Sequence, residues 1–155
     1  MSPWTIRRAE AEDASVVADF NVALAAESEA LALDPARVAR GVAACLTDPT
    51  KGFYLLAEQD GAPIGQTMVT YEWSDWRDGV FFWIQSVYVR PERRGHGVFR
   101  ALYEAVLASA RARGDVAGVR LYVHHDNVRA QAVYAAVGME AAPYQMFELD
   151  FVLTR

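Results

Sequence analysis

A glycine-containing turn in the second half of the chain could bind a phosphate group. It consists of Arg94-Gly95-His96-Gly97-Val98-Phe99 and lies between an apolar run and an amphipathic one. Glycine lets backbone N–H groups approach an anion without obstruction by a side chain. The start of the following helix would add unpaired N–H groups and about half a positive charge. A plain tight turn is the alternative, because a Gly-x-Gly turn by itself is weak evidence for a ligand.

Positive charge is concentrated around this turn. Residues 90–100 contain one acidic residue, Glu92, and four arginines: Arg90, Arg93, Arg94 and Arg100. Charged hydrogen bonds to phosphate are stronger than neutral ones. The turn lacks both the Gly-Lys-Ser/Thr of nucleotide-binding loops and the Gly-x-Gly-x-x-Gly of dinucleotide-binding folds. A small phosphorylated cofactor is therefore the favoured ligand, with scattered solvated arginines as the alternative.

Two polar residues begin and line a later predicted helix. Asn127 stands at its start and Tyr134 follows seven residues later, on the same helical face. Asparagine is a frequent N-cap, so Asn127 could serve the helix alone. A tyrosine at this spacing could equally belong to the core with its hydroxyl at the edge.

Taken together, these segments resemble the GNAT family of N-acetyltransferases over about residues 80–140. Residues 86–98 are similar to the family's acetyl-CoA signature, Arg/Gln-x-x-Gly-x-Gly/Ala, in which Arg94 and Gly97 fill the first two positions and Phe99 replaces the last. The run Asn127-x-x-Ala130-x-x-x-Tyr134-x-x-x-Gly138-Met139 is similar to a second family motif. The resemblance implies an enzyme that uses acetyl-CoA as cosubstrate and no metal.

The resemblance also implies residue roles. Main-chain groups of the strand before the turn would pair with the pantetheine, and a bulge near residues 85–87 would supply an N–H for the thioester oxygen. Tyr134 would protonate the departing thiolate. The cofactor-binding residues implied are Val87, Tyr88, Val89, Arg94, Gly95, His96, Gly97, Val98, Phe99, Arg100 and Asn127.

A general base is needed because an amine with a pKa near 10 is protonated at neutral pH. Gln85 stands where relatives often carry an acid, and an amide cannot act as a base. Glu72 is the preferred candidate, since Tyr71 and Trp73 beside it could shield its carboxylate from water; an ordinary exposed carboxylate is the alternative. His125 is a weaker second candidate.

Acidic and aromatic residues in the first half predict where the acceptor binds. They suit a cationic amine through Coulomb attraction and cation–π contact, although a solvated acidic loop would look the same. In the fold that the resemblance implies, five such residues border the acceptor entrance: Glu27, Glu29, Trp73, Asp75 and Trp76. Gln85 of the central strand is a further candidate for acceptor binding. His124 and His125 are adjacent and would point to opposite sides of an extended chain, so no metal site is expected there.

These residues must be positioned by an α/β domain. The predicted order is strand (4–9), helix (12–27), helix (35–47), strands (52–58, 64–73 and 80–89), helix (98–113), strand (119–123), helix (127–137) and one or two closing strands (144–153). The resemblance implies a GNAT-like mixed, mostly antiparallel sheet of six to seven strands flanked by about four helices. The sheet would splay between the fourth and fifth strands, and only that pair would be parallel.

Composition limits the remaining classes. The 155 residues are 53% hydrophobic and 23% charged, which predicts one domain over residues 1–155. The net charge of −5 divides into −7 over residues 1–80 (13 acidic, 6 basic) and +2 over residues 81–155 (7 acidic, 9 basic). This acidity argues against a duplex nucleic-acid partner. A single cysteine, no signal peptide and no apolar run long enough to span a membrane predict a cytoplasmic protein.

The sequence thus predicts an acetyl-CoA-dependent N-acetyltransferase that acts on a primary amine, small or peptidic, by direct attack in a ternary complex. A non-catalytic acyl-CoA-binding sensor is the alternative. The apolar segment 146–153 could also pair between two subunits of a homodimer.

Overall fold

Five strands form one mixed sheet in the computed structural model, which describes residues 3–153. They are β1 (Thr5–Arg8), β2 (Phe53–Gln59), β3 (Ala62–Ser74), β4 (Gly79–Val89) and β5 (Val116–Leu121). Their order in the sheet follows their order in the chain. The first four strands pair antiparallel and β5 pairs parallel to β4, as predicted.

Four α-helices accompany the sheet. They are α1 (Ala14–Glu29), α2 (Pro35–Thr47), α3 (Val98–Arg113) and α4 (Val128–Ala136). Helix α2 begins where the sequence predicts, because Oδ1 of Asp34 accepts a hydrogen bond from the N–H of Ala36 at 3.0 Å. Helix α1 begins two residues later than predicted, after a short 3-10 helix at Ala11–Asp13. Among residues 3–153, no helix has the length and apolar character needed to cross a membrane.

The described chain divides between Tyr122 and Val123 into two compact units. The first contains the sheet and α1–α3. Helices α1 and α2 cover one face of the sheet, where Val17, Val42 and Cys45 pack with Tyr54 and Leu56. Side chains alternate along a strand, so Phe53 lies on the other face, together with Tyr71 and Phe82. Helix α3 covers that second face, because the Arg113 guanidinium lies 4.7 Å from the Tyr71 ring.

Strand β4 has an irregularity at Gln85. Met68 of β3 pairs with Ser86 and Val69 pairs with Ile84, so Gln85 is an inserted residue without a partner on β3. This is the β-bulge predicted near residues 85–87. The parallel pairing with β5 ends at Ile84–Leu121. Beyond that point β4 pairs with β3 alone among the described strands, because β5 itself ends at Leu121. The splay between the fourth and fifth strands stays a prediction.

The prediction of six to seven strands is wrong within residues 3–153, since no strand forms in residues 144–153. The alternating pattern there is real, but Oδ1 of Asp150 accepts hydrogen bonds from the N–H groups of Val152 and Leu153, both at 2.7 Å. Such an aspartate turn bends the backbone out of the extended conformation. Phe147 and Phe151 are consequently about 90% exposed, at 91% and 89%.

Candidate functional site

The glycine turn joins β4 to α3 and is exposed. Gly95 and Gly97 have φ angles of 78° and 88°, in the left-handed region that side chains disfavour. Space is open around Gly95, so its conformation rather than crowding requires glycine. Gly97 is the N-cap of α3 and supplies no side-chain cap. The first N–H groups of α3 therefore have no capping side chain, and this arrangement suits an anion.

The Arg94 side chain is held by two neighbours. Its Nε donates to the carbonyl oxygen of Val89 at 2.8 Å, and its Nη2 donates to Oε2 of Glu27 at 2.5 Å. Glu27 was predicted on the acceptor side, whereas the structure brings it to the predicted cofactor turn. The two residues are 67 positions apart, so no local pattern could have linked them. The contact ties the last turns of α1 to the end of β4.

The other arginines of this region divide into two kinds. Arg90 is structural, because its Nε donates to the carbonyl oxygen of Pro63 at 2.9 Å and its guanidinium lies 5.0 Å from the Phe20 ring. Arg93 and Arg100 are exposed beside the turn. These two side chains are therefore the ones placed to reach a bound phosphate.

The residues of the turn and the start of α3 differ in whether a ligand could reach the side chain or only the backbone N–H. His96 is exposed, whereas Val98 is buried and can offer a ligand only its N–H. Phe99 is half-buried and stacks on Tyr103 with ring centroids 6.0 Å apart. The phenylalanine that departs from the family pattern thus packs along its own helix.

The segment after the bulge presents an open backbone edge. Val87, Tyr88 and Val89 pair with Thr67, Gln66 and Gly65 of β3, and within the described strands nothing pairs on their other side. Tyr88 is buried against Phe20, with ring centroids 4.9 Å apart. An extended ligand with amide groups could hydrogen-bond to this edge as an added strand does.

A buried polar network supports this segment and was not found from the sequence. Gln66, fully buried opposite Tyr88, donates from Nε2 to Oδ1 of Asn21 at 2.8 Å. Asn21 in turn lies 3.4 Å from the Tyr54 hydroxyl. The bonds of Gln66 Nε2 offset part of the desolvation cost of this buried amide, whose Oε1 has no hydrogen-bond partner within residues 3–153. The network therefore fixes α1 against the sheet beside the open edge.

Glu72 is not shielded in the way that the sequence predicts. Tyr71 packs on the α3 face, and Trp73 is 62% exposed. The Glu72 side chain is 45% exposed, and its Oε1 accepts a hydrogen bond from Nη1 of Arg120 at 2.5 Å. The predicted aromatic shielding is therefore absent, and an arginine stands in its place.

Glu72 belongs to a set of side chains on the sheet face opposite α3, which we call the sheet-face patch. Its members are Thr70, Glu72, Phe81, Trp83, Gln85, Arg120 and Tyr122. They are linked by contacts: Gln85 Nε2 donates to Thr70 Oγ1 at 2.8 Å, and the Trp83 and Tyr122 rings are 6.1 Å apart. The Arg120 guanidinium lies 3.7 Å from the centre of the Phe81 ring. Alternation along β3 was the signal that could have revealed the patch.

The remaining acceptor candidates are exposed. Trp73, Asp75 and Trp76 lie at the end of β3 and in the 3-10 helix Asp75–Arg77 that follows. Asp75 Oδ1 accepts a hydrogen bond from the Trp76 N–H at 2.9 Å. Glu29 lies at the end of α1. Their role in acceptor binding stays a prediction.

The second unit contains the other motif. Oδ1 of Asn127 accepts a hydrogen bond from the N–H of Ala130 at 3.1 Å, so Asn127 caps α4. Tyr134 is half-buried on the same helix, and this burial raises the pKa of its phenol. A raised pKa keeps the hydroxyl protonated at neutral pH, as a proton donor requires.

The prediction that His124 and His125 point to opposite sides of the chain is wrong. Their rings stack with centroids 4.5 Å apart. Strand β5 ends at Leu121, and the N–H of Asn127 bonds to the carbonyl oxygen of His124 in a turn. Ligand atoms of His124, His125 and Asp126, all exposed, lie within 4.8 Å of one another.

Comparison with solved structures shows the same fold elsewhere. A possible acetyltransferase from Clostridium difficile 630 is 39% identical, with 97% of this chain and 99% of that chain covered and a TM-score of 0.89. A ribosomal-protein-alanine N-acetyltransferase from Brucella melitensis biovar Abortus 2308 is 18% identical, with 96% and 99% covered and a TM-score of 0.76. An aminoglycoside N-acetyltransferase in complex with CoA is 17% identical, with 96% and 95% covered and a TM-score of 0.80. The last two show likeness of fold alone.

A search among curated protein sequences found no match. The model of the Acetyltransferase (GNAT) family matches residues 18–139, which span β2–β5 and α2–α4 entirely. This match and the 39% identity over nearly the whole chain agree with the two motifs read from the sequence. The chain belongs to the GNAT family of acetyltransferases.

Proposed function

We propose that the protein is an N-acetyltransferase that uses acetyl-CoA and acetylates a primary amine by direct attack in a ternary complex. The observation that supports this most strongly is the conjunction of an open β4 edge, a bulge at Gln85 and a left-handed glycine turn before an uncapped α3. The structural neighbours include enzymes named for aminoglycoside and for ribosomal-protein acceptors, so the fold alone does not determine the acceptor.

The residues present fit a CoA molecule. N–H groups at Gly97, Val98 and Phe99 would bind the pyrophosphate, with Arg93 and Arg100 adding charge. The open edge of Val87–Val89 would pair with the pantetheine amides, and Asn127 would add a further hydrogen bond. Bound acetyl-CoA would supply a thioester as the acetyl donor.

The chain's own residues would then perform three tasks. An N–H at the bulge would hydrogen-bond the thioester oxygen as negative charge develops there, an effect worth roughly 100- to 1000-fold in rate. Glu72 would remove a proton from the acceptor ammonium through water. Tyr134, kept protonated by burial, would donate a proton to the departing thiolate.

Direct attack is favoured because the cysteine is not placed to form a covalent intermediate. Cys45 is 3% exposed in the core between α2 and the sheet. Burial raises the pKa of its thiol, which suppresses the thiolate that a nucleophile requires.

The test is release of free thiol from acetyl-CoA in the presence of a panel of primary amines. Amine-dependent thiol release with one acetyl group transferred per thiol, verified by mass spectrometry, is the expected result. Thermal stabilisation by CoA without thiol release for any amine would reject catalysis and support the sensor alternative.

A further inference from the structure

Arg120 is held in place by the side chain beneath it. Its guanidinium lies 3.7 Å from the centre of the Phe81 ring, a stacking distance, and the Arg77 guanidinium lies 4.9 Å from the same ring. Phe81 itself is buried, with 7% of its surface exposed. A buried ring that carries two guanidinium groups is a rigid platform for positive charge.

Gly118 makes this platform possible. A Cβ atom at Gly118 would lie 2.6 Å from Cε1 and 3.2 Å from Cδ1 of Phe81. The ring therefore rests directly on the backbone of β5, two residues before Arg120 on the same strand face. Glycine is needed at this position for close approach, since no left-handed conformation is recorded for it.

The Arg120 guanidinium is incompletely used. Nη1 donates to Glu72, while Nε and Nη2 make no hydrogen bond within residues 3–153. The Arg120 side chain is 33% exposed. A guanidinium presents its donors in a planar fork whose geometry matches a carboxylate. Arg120 thus offers a pre-positioned donor pair for a ligand carboxylate.

This fork lies near the proposed reaction centre. Glu72 pairs with Phe81, and Thr70, two residues before Glu72, bonds to Gln85 at the bulge. Two residues along a strand span about 7 Å. A small acceptor could therefore contact Arg120 and place its amine near the bulge.

The charges around Arg120 favour an acceptor amine that also carries an anionic group over an amine that carries none. A cationic amine without an anion would place its positive charge beside two guanidinium groups and only one bonded carboxylate, Glu72. A zwitterion brings one charge of each sign, so its ammonium can face Glu72 while its carboxylate faces Arg120. Close opposite charges stabilise and close like charges destabilise.

We infer that the acceptor is an amino acid, whose carboxylate binds Arg120 while its amine is acetylated. The inference rests on the proposed function and narrows the acceptor from amines in general to those bearing a carboxylate. It identifies Arg120, Phe81 and Gly118 as residues that determine specificity.

The experiment compares the twenty amino acids with their carboxamides, which keep the amine and the size but lack the negative charge. For the best amino acid we expect a kcat/KM at least about tenfold above that of its carboxamide. Arg120→Gln should lower kcat/KM for the amino acid about 10- to 100-fold more than for its carboxamide, because both acceptors share the loss of the bond to Glu72 and only the amino acid loses a carboxylate partner. Arg120→Lys, which keeps the charge without the fork, should be intermediate.

The matched control is Arg111→Gln, an exposed arginine on α3, which should behave as the wild type. Equal kcat/KM for amino acids and carboxamides, or a preference that survives in Arg120→Gln, would overturn the inference.

Calorimetric binding in the presence of CoA separates this inference from the proposed function. Amino acids that bind more tightly than carboxamides, with the difference lost in Arg120→Gln, would support the inference even without thiol release. If amines are acetylated with no preference for those bearing a carboxylate, the proposed acetyltransferase function stands and the amino-acid acceptor is rejected. Absence of both binding and acetylation of every amino acid would also reject it.

Discussion

In the sheet-face patch, the absence of a side chain at Gly118 determines where the Phe81 ring and the Arg120 guanidinium lie. The distance of 2.6 Å between a hypothetical Cβ at Gly118 and Cε1 of Phe81 is shorter than any normal contact. A methyl group there must push the ring away, and with it the guanidinium of Arg120. One hydrogen-for-methyl exchange therefore acts on a charged group two residues away.

The corresponding prediction is that Gly118→Ala reduces amino-acid acetylation by a rise in KM and lowers the free energy of unfolding by about 1–3 kcal/mol, as overpacking does. Gly41→Ala is the control, because space is open around this glycine in α2, and it should stabilise the protein by about 0.5–1 kcal/mol. Urea denaturation and steady-state kinetics measure both effects. An unchanged KM in Gly118→Ala would contradict the role given to the Phe81 platform.

Tyr134 carries a second residue-scale prediction. Tyr134→Phe should lower kcat about tenfold to a thousandfold with little change in the affinity for acetyl-CoA. Because burial raises the pKa of this phenol, any loss of wild-type kcat from its ionisation should begin at a higher pH than for an ordinary tyrosine. Tyr144→Phe is the control, since that side chain is 76% exposed in the C-terminal segment. Undiminished kcat in Tyr134→Phe would exclude the acid role.

At the scale of elements, one arginine joins β1, β2 and the start of α1. Arg7 donates to both carboxylate oxygens of Asp13, at 2.7 and 2.9 Å, and to Oε1 of Glu58 at 2.6 Å. The hydrogen bond from Arg7 lowers the pKa of Asp13. A carboxyl group whose pKa is depressed on folding adds stability above its unfolded pKa, about 3.9, and loses it as the pH falls further.

We therefore expect Asp13→Asn to lower the free energy of unfolding by about 1–2 kcal/mol at pH 7. The difference from wild type should shrink below about pH 4, where Asp13 of the unfolded state takes up a proton before Asp13 of the folded state does, and vanish once both are protonated. Denaturation at a series of pH values tests this, with the exposed Asp19→Asn as control. A difference independent of pH would show that the ion pair is not its source.

The glycine turn carries the second element-scale prediction. Gly95→Ala forces a side chain into the left-handed region, at a cost of about 1–2 kcal/mol, although space around it is open. Gly61 in the β2–β3 hairpin has nearly the same φ, 76°, and equally open space. Both alanine variants should lose similar stability, but only Gly95→Ala should weaken CoA binding, as measured by calorimetry. Equal CoA affinities in the two variants would remove the turn from the binding site.

For the whole molecule, local signals were sufficient for most of the fold. The Asp34-Pro35 start of α2, the end of α3 at Gly114 and the parallel β4–β5 pair follow from caps and connection rules. Contacts between distant residues were not predictable. Glu27–Arg94 and Glu72–Arg120 join positions 67 and 48 residues apart, and their pairing depends on register and helix placement.

These two ion pairs also reinterpret the uneven charge of the chain. Both join an acidic residue of the first 80 to a basic residue of the remainder. The acidic and basic excesses therefore meet within the first compact unit. The picture of an acidic acceptor side and a separate basic cofactor side is too simple for Glu27 and Glu72.

The C-terminal segment yields a prediction about assembly. Met146, Phe147, Leu149 and Phe151 are exposed, and association through residues 146–153 would bury them. Sedimentation velocity should detect a homodimer, and the double variant Phe147→Asp, Phe151→Asp should sediment as a monomer. Glu140→Gln, outside the segment, is the control. A wild-type monomer at all concentrations would reject dimerisation.

The bulge at Gln85 has a consequence for how this protein can vary. If residue 85 were deleted, Ile84 and Ser86 would become neighbours, and their partners Val69 and Met68 are already neighbours on β3. Every other side chain of β4 would keep its face, and the hairpin would become regular. The bulge on which the proposed chemistry depends is thus determined by the number of residues in β4 and not by which residues they are. Deletion of residue 85 would remove the bulge, whereas single substitutions along β4 would leave the number of residues, and so the bulge, unchanged.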